Sequence, residues 1–79
     1  MMRITDRQIK TLHRLGRAEN NQAPINPDLA RQLIAKGLVI KVRTYTRYEW
    51  NTPVATLWVV RLTEAGMQEG TKHVHGNKP

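Results

Sequence analysis

Arginine alternates with aromatic residues in the stretch RTYTRYEW, residues 43–50. Guanidinium groups pair with phosphates, and the rings of Tyr and Trp can stack on nucleic-acid bases. The same composition also suits an exposed β-strand, because Lys and Arg on a sheet edge discourage pairing with other chains. The stretch therefore predicts either a nucleic-acid contact or a protected edge strand.

The sequence lacks the residue types that the usual enzymatic and metal-binding sites require. The chain has no Cys and no Ser, and its histidines, His13, His73 and His75, are far apart or in a polar segment. The usual nucleophile and metal-ligand sets cannot be assembled from these residues. A chain of 79 residues also has little room for an enclosed substrate pocket. We therefore expect a binding module without enzymatic activity, metal or cofactor.

The net charge favours an anionic partner. Thirteen Lys and Arg against six Asp and Glu give +7 at pH 7, which suits nucleic acid without specifying it. No apolar run approaches the roughly 20 residues that span a bilayer, and MMRITDRQ at the N-terminus lacks the apolar core of a signal peptide. We expect a soluble cytoplasmic protein with no membrane partner.

A first helix is predicted to begin at Thr5. Residues 5–8, TDRQ, fit a capping box, and Ile9, Leu12 and Leu15 follow on one apolar face. The opposite face carries a basic stripe, which is either a solvated surface or a phosphate-facing one. The stripe consists of Arg7, Lys10, Arg14 and Arg17.

A second helix is predicted over residues 27–36, after a loop in GRAENNQAPIN at residues 16–26. Asn26 and Pro27 start the helix, and Gly37 ends it. Its outward face carries Arg31 and Gln32, with Lys36 at the margin. Arg pairs well with guanine and Gln with adenine. The same residues also fit an ordinary solvated face, and an acidic residue, Asp28, at the leading end argues against deep insertion into a groove.

Residues 38–50 and 54–62 are predicted to form a long hairpin with its turn at residues 51–53. Alternation places Leu38, Ile40 and Val42 toward the core, with Trp58 also in the core. The opposite strand face then carries Lys41, Arg43, Tyr45 and Arg47. Trp50 is expected to be exposed next to the turn, beside Tyr48, where it can stack on a base or anchor a protein interface.

Thr63 is predicted to cap a short helix that ends before Gly70. The resulting fold is α+β: two helices, a long antiparallel β-hairpin and a short C-terminal helix. One domain is expected over residues 1–69, followed by a flexible basic tail over residues 70–79.

Two short motifs resemble those of winged-helix regulators, MarR-like ones among them. LIAKGLV at residues 33–39 is similar to the junction between recognition helix and wing, and LTEAG at residues 62–66 is similar to the segment that closes the wing. The resemblance covers residues 4–69 and implies a winged-helix-like fold. It departs from the family in two ways: residues 18–25 leave no room for a middle helix, and the dimerisation helices are missing. The chain thus resembles a reduced winged helix of the kind found in very short phage and prophage regulators and host-interaction proteins.

The resemblance and the charge together predict a small DNA-binding protein. Its partner would be double-stranded DNA, and its role that of a phage or prophage transcriptional regulator or recombination accessory factor. The alternative is a winged-helix-derived interaction module that inhibits or adapts a host protein complex through Trp50 and Tyr48. RNA binding by the basic hairpin is a third interpretation. Nothing in the sequence selects an oligomeric state.

Overall fold

The computed structural model describes residues 4–74, and the side chains of residues 4–72. The elements along the chain are helix α1 (Asp6–Arg17), a 3₁₀ turn (Glu19–Asn21), strand β1 (Gln22–Ile25), helix α2 (Pro27–Ala35), strand β2 (Val39–Glu49), strand β3 (Thr52–Leu62) and helix α3 (Glu64–Val74). The strands form one antiparallel sheet in the order β1-β3-β2. The α+β class is confirmed, as are the helices and the hairpin.

The first two helices begin where their capping residues predict. The Thr5 hydroxyl accepts the backbone N–H of Gln8 at 3.2 Å, and the Gln8 amide oxygen accepts the N–H of Thr5 at 3.2 Å. At α2, Asn26 Oδ1 accepts the N–H of Asp28 at 2.8 Å. Gly37, with φ of +74°, follows the end of α2 in the left-handed conformation that glycine adopts without strain.

Strand β1 occupies part of the segment predicted to be a loop. Residues 22–25 pair with β3, from Gln22 opposite Arg61 to Ile25 opposite Trp58. Asn20 and Asn21, at φ of 58° and 56°, turn the chain between α1 and β1. The expected absence of an ordinary helix between α1 and α2 is confirmed, whereas the prediction of a loop over residues 22–25 was wrong.

The core lies between the helices and one face of the sheet. Its buried residues come from α1 and α2, from the segment around Gly37 and from the sheet: Leu12, Leu15, Ile25, Leu29, Ala30, Leu33, Leu38, Val39, Val60 and Leu62. Trp58 packs against this cluster but is only partly buried, so its predicted place in the core is correct in part.

The two motifs at residues 33–39 and 62–66 meet in a single joint. Thr63 donates its backbone N–H to the Leu38 carbonyl at 3.0 Å and its hydroxyl to the Gly37 carbonyl at 2.7 Å. The same hydroxyl accepts the N–H of Gly66 at 3.0 Å, which confirms Thr63 as the cap of α3. A Cβ at Gly66 would overlap the Leu38 carbonyl oxygen and lie 2.9 Å from Leu62 Cδ2. Glycine is therefore required where α3 crosses the start of the hairpin.

Helix α3 continues past its predicted end. Gly70 lies within the helix and is buried against α1, where a Cβ would sit 3.6 Å from Leu12 Cβ. The Gly70 carbonyl accepts a hydrogen bond from His13 Nε2 at 3.0 Å. These contacts hold the helix to α1 at Gly70, and the helix continues to Val74, so the predicted stop before Gly70 was wrong. The rest of the predicted tail, residues 75–79, lies outside the described residues.

Candidate nucleic-acid interface

The outer half of the β-hairpin projects from the body of the protein. β1 pairs with residues 58–61 of β3, so beyond Trp58 the sheet is only two strands wide. We call residues 45–57 the arm. None of its side chains is buried. Five residues of β2 lie in the arm, which at about 3.4 Å per residue makes it roughly 17 Å long.

Because of a β-bulge at Val42, the side chains of β2 are not distributed over the two sheet faces as predicted. Lys41 lies opposite Val60, and Arg43 lies opposite the next residue of β3, Val59, so Val42 has no partner. Because an extra residue shifts the side-chain alternation by one, Lys41 and Arg43 lie on opposite faces of the sheet. The prediction that Lys41 shares a face with Arg43 was therefore wrong.

The inward-facing residues at the start of β2 also differ from the prediction. Val39 is 2% exposed and belongs to the core, whereas Ile40 and Val42 are 44% and 39% exposed. Leu38 is buried as predicted, but it precedes the strand. The run LVIKV contains too many adjacent apolar residues for alternation to show which of them point inward.

The sheet face away from the helices, here the outer face, is basic. Arg43, Tyr45 and Arg47 share it, as predicted, and lie opposite Val59, Leu57 and Ala55. Arg61 joins them on this face, opposite Ile40. All three arginines are exposed. The one acidic residue of the two strands is Glu49, next to the turn.

Arg31 of α2 and Lys41 of β2 converge on Trp58. The Arg31 Cζ atom lies 5.0 Å from the centroid of the Trp58 ring, and Lys41 Nζ lies 4.1 Å from it. Both distances are typical of cation–π interactions. Arg31 also forms an ion pair with Asp28, at 2.7 Å between Nη1 and Oδ1. The carboxylate of Asp28 thus offsets part of the positive charge of the predicted recognition face.

Gln32 and Lys36 take part in hydrogen bonds between helices. Gln8 of α1 is buried, and its Nε2 donates to Gln32 Oε1 at 2.7 Å. Lys36 Nζ donates to Gln8 Oε1 at 2.6 Å. Because a buried amide requires hydrogen-bond partners, these two side chains, one in α2 and one at its C-terminal cap, satisfy Gln8. The predicted base-reading pair of Arg31 and Gln32 is therefore engaged within the protein.

The basic stripe of α1 lies on a different part of the surface from the arm. Its four members, Arg7, Lys10, Arg14 and Arg17, are exposed, as expected for the face opposite the core. Arg14 Nη2 donates to the carbonyl of Pro24 in β1 at 3.3 Å. In the strand order β1-β3-β2, β1 is the edge away from β2. The stripe and the outer face of the arm are consequently separate cationic surfaces.

The turn at the end of the arm consists of Trp50 and Asn51. Glu49 and Thr52 are the last paired residues, and the turn residues have φ of 53° and 64°, as in a type I′ turn. Trp50 is 97% exposed, which confirms its predicted exposure, and Tyr48 beside it is 61% exposed. The turn was predicted at residues 51–53, but Pro53 lies within β3.

Comparisons with families of known proteins, with curated proteins and with solved structures found no match. None of the helices in residues 4–74 has the length and apolar character needed to cross a membrane. No group of three or more metal-ligating side chains occurs among the described residues.

Proposed function

We propose that this protein binds double-stranded DNA through the outer face of its arm. The observation that carries the proposal is a two-stranded arm, clear of the body, with Arg47 on its outer face and Arg43 on the same face of β2 where the arm joins the body. The major groove of B-DNA, about 12 Å wide, admits a two-stranded β-ribbon. Arginines on such a ribbon can reach phosphates on the groove walls, and Tyr45 lies between them.

The other predicted residues have supporting roles in this proposal. Lys41, together with Arg31, provides positive charge where the arm joins the body. The stripe on α1 adds a general attraction to the DNA backbone. Base contacts by Gln32 and phosphate contacts by Lys36 remain predictions. So do the winged-helix identity and the role of a phage or prophage transcriptional regulator or recombination accessory factor in the cytoplasm.

Removing Arg43 and Arg47 tests the proposal. The variant Arg43→Ala/Arg47→Ala should weaken binding to duplexes of any sequence. It should also flatten the slope of log affinity against log salt concentration by about two, since each phosphate contact contributes roughly 0.9. The measurement is fluorescence anisotropy with a labelled mixed-sequence duplex at several salt concentrations.

A control variant separates the arm from the total charge. Arg7→Ala/Lys10→Ala removes two exposed positive charges from α1 and should change affinity and slope much less. An equal effect of the two double variants, or no effect of Arg43→Ala/Arg47→Ala, would show that the arm and its base are not the binding surface.

The second candidate function is a protein-interaction module that inhibits or adapts a host protein complex. It is favoured by the exposure of Trp50 and Tyr48 at the end of the arm. In this case DNA affinity should be weak and vanish near physiological salt, and Trp50→Ala should abolish capture of a protein from nuclease-treated lysate. A preference for single-stranded RNA over duplex DNA would instead support RNA binding.

A further inference from the structure

Trp50 occupies a position that the fold itself disfavours for tryptophan. A two-residue turn in which both residues have positive φ selects Gly, Asn or Asp, and a bulky residue is uncommon there. The Trp50 ring is 97% exposed, so it gains almost no stabilisation from burial. Its backbone carbonyl accepts a hydrogen bond from Thr52 Oγ1 at 3.5 Å, which any residue could accept. The ring therefore has no structural role at this position.

The placement of the ring suits stacking on a nucleic-acid base. Trp50 is at the end of the arm, where the structure narrows to a two-residue turn. Tyr48, 61% exposed, is near the end of β2 that leads into the turn, and Arg47 and Arg43 follow on β2 toward the body. Aromatic side chains beside cations bind bases through their π-faces while the cations contact the backbone. A hot spot of a protein interface, in contrast, is surrounded by a rim of contacts that exclude water. A narrow turn has few neighbouring residues that could form such a rim.

We propose that Trp50 stacks on an unpaired base, so that the protein prefers duplexes containing one over intact duplexes. This inference rests on the proposed DNA binding and names the class of DNA. In an intact duplex, the ring must first separate two stacked base pairs, which is unfavourable. A bulged base, a gap or a junction with a single strand is already unstacked, so the ring binds there without that cost.

Anisotropy titrations with two duplexes of one sequence test the inference. One duplex is fully paired, and the other has a single unpaired adenine at its centre. The wild type should bind the bulged duplex on the order of tenfold more tightly. Trp50→Ala should lose this preference while its affinity for the paired duplex stays close to that of the wild type. Trp50→Phe, which keeps an aromatic ring, should retain most of the preference.

The charge variant provides a further control. Arg43→Ala/Arg47→Ala should weaken binding to both duplexes by the same factor, which leaves the preference unchanged. A paired and a bulged duplex bound equally by the wild type would overturn the inference. A preference for the bulged duplex that survives Trp50→Ala would also overturn it. The same holds for a preference that Trp50→Phe loses as fully as Trp50→Ala. In each of these cases DNA binding itself would stand, whereas failure of the wild type to bind either duplex would overturn the proposed function as well.

Discussion

Replacing Trp50 by asparagine should stabilise the arm by about 1 kcal/mol. Trp50 has φ of 53°, and the left-handed conformation costs most L-residues about 1–2 kcal/mol, whereas Asn adopts it more readily. The substitution loses little in exchange, because the ring is 97% exposed. Stability and the proposed base stacking therefore favour different residues at this position.

Amide hydrogen exchange in the arm measures this gain directly. The arm has no buried side chains, so its ladder should open locally rather than with the core. A stabilisation of about 1 kcal/mol should slow exchange of the ladder amides in residues 45–57 about fivefold. The exchange rate of the Val60 amide should change less, because Val60 is buried in the core and its amide exchanges through larger openings.

Trp50→Ala is the matched control for the backbone conformation. Alanine also removes the ring but is disfavoured at positive φ, so exchange in the arm should remain close to that of the wild type. If Trp50→Asn does not slow exchange, or if Trp50→Ala slows it equally, the strain assigned to the turn is not present.

Two further predictions concern the joint between α2, the hairpin and α3. Gly66→Ala should lower the free energy of unfolding by about 2 kcal/mol, because its Cβ would overlap the Leu38 carbonyl oxygen. Gly16→Ala, where nothing lies within 4 Å of a Cβ, should raise the free energy of unfolding by about 0.5–1 kcal/mol. Urea unfolding in which both substitutions change this free energy in the same direction would contradict this reasoning. Thr63→Val should lower the free energy of unfolding by about 1–2 kcal/mol through loss of the cap and of the bond to Gly37, whereas Thr63→Ser keeps the hydroxyl and should remain near the wild type. A valine variant as stable as the serine variant in the same urea titration would show that the hydroxyl contributes little.

The helix starts could be predicted because they depend on neighbouring residues. The caps at Thr5, Asn26 and Thr63 each bind a backbone N–H two or three positions along the chain. Such contacts form between residues that are adjacent in sequence, so their pattern survives in the sequence alone. The hairpin was predicted for a similar reason, since its strands follow one another directly.

The structural features that the sequence did not predict depend on pairing between residues that are far apart along the chain. QAPI, residues 22–25, contains a proline and too few strand-forming residues to indicate a strand, yet it pairs with β3 more than thirty residues later. The bulge at Val42 arises from the register of β2 against β3, which the sequence of β2 does not contain. The interaction of Arg31 and Lys41 with Trp58 likewise requires the assembled sheet and α2. Exposure of Trp50 was predictable from its place beside turn residues, but its positive φ was not.

Val42 also determines the direction in which the arm leaves the body. A bulge bends its strand and increases the local twist, and this one lies just before the arm begins. A chain without Val42 could pair Lys41 and Arg43 with the same residues of β3, so the arm would present unchanged side chains on each face. Such a chain would lose the bend in β2, and Arg43 and Arg47 would be oriented differently relative to α2. The side chains on the arm and its orientation are thus set by different residues, and the orientation can change without any substitution on the binding surface.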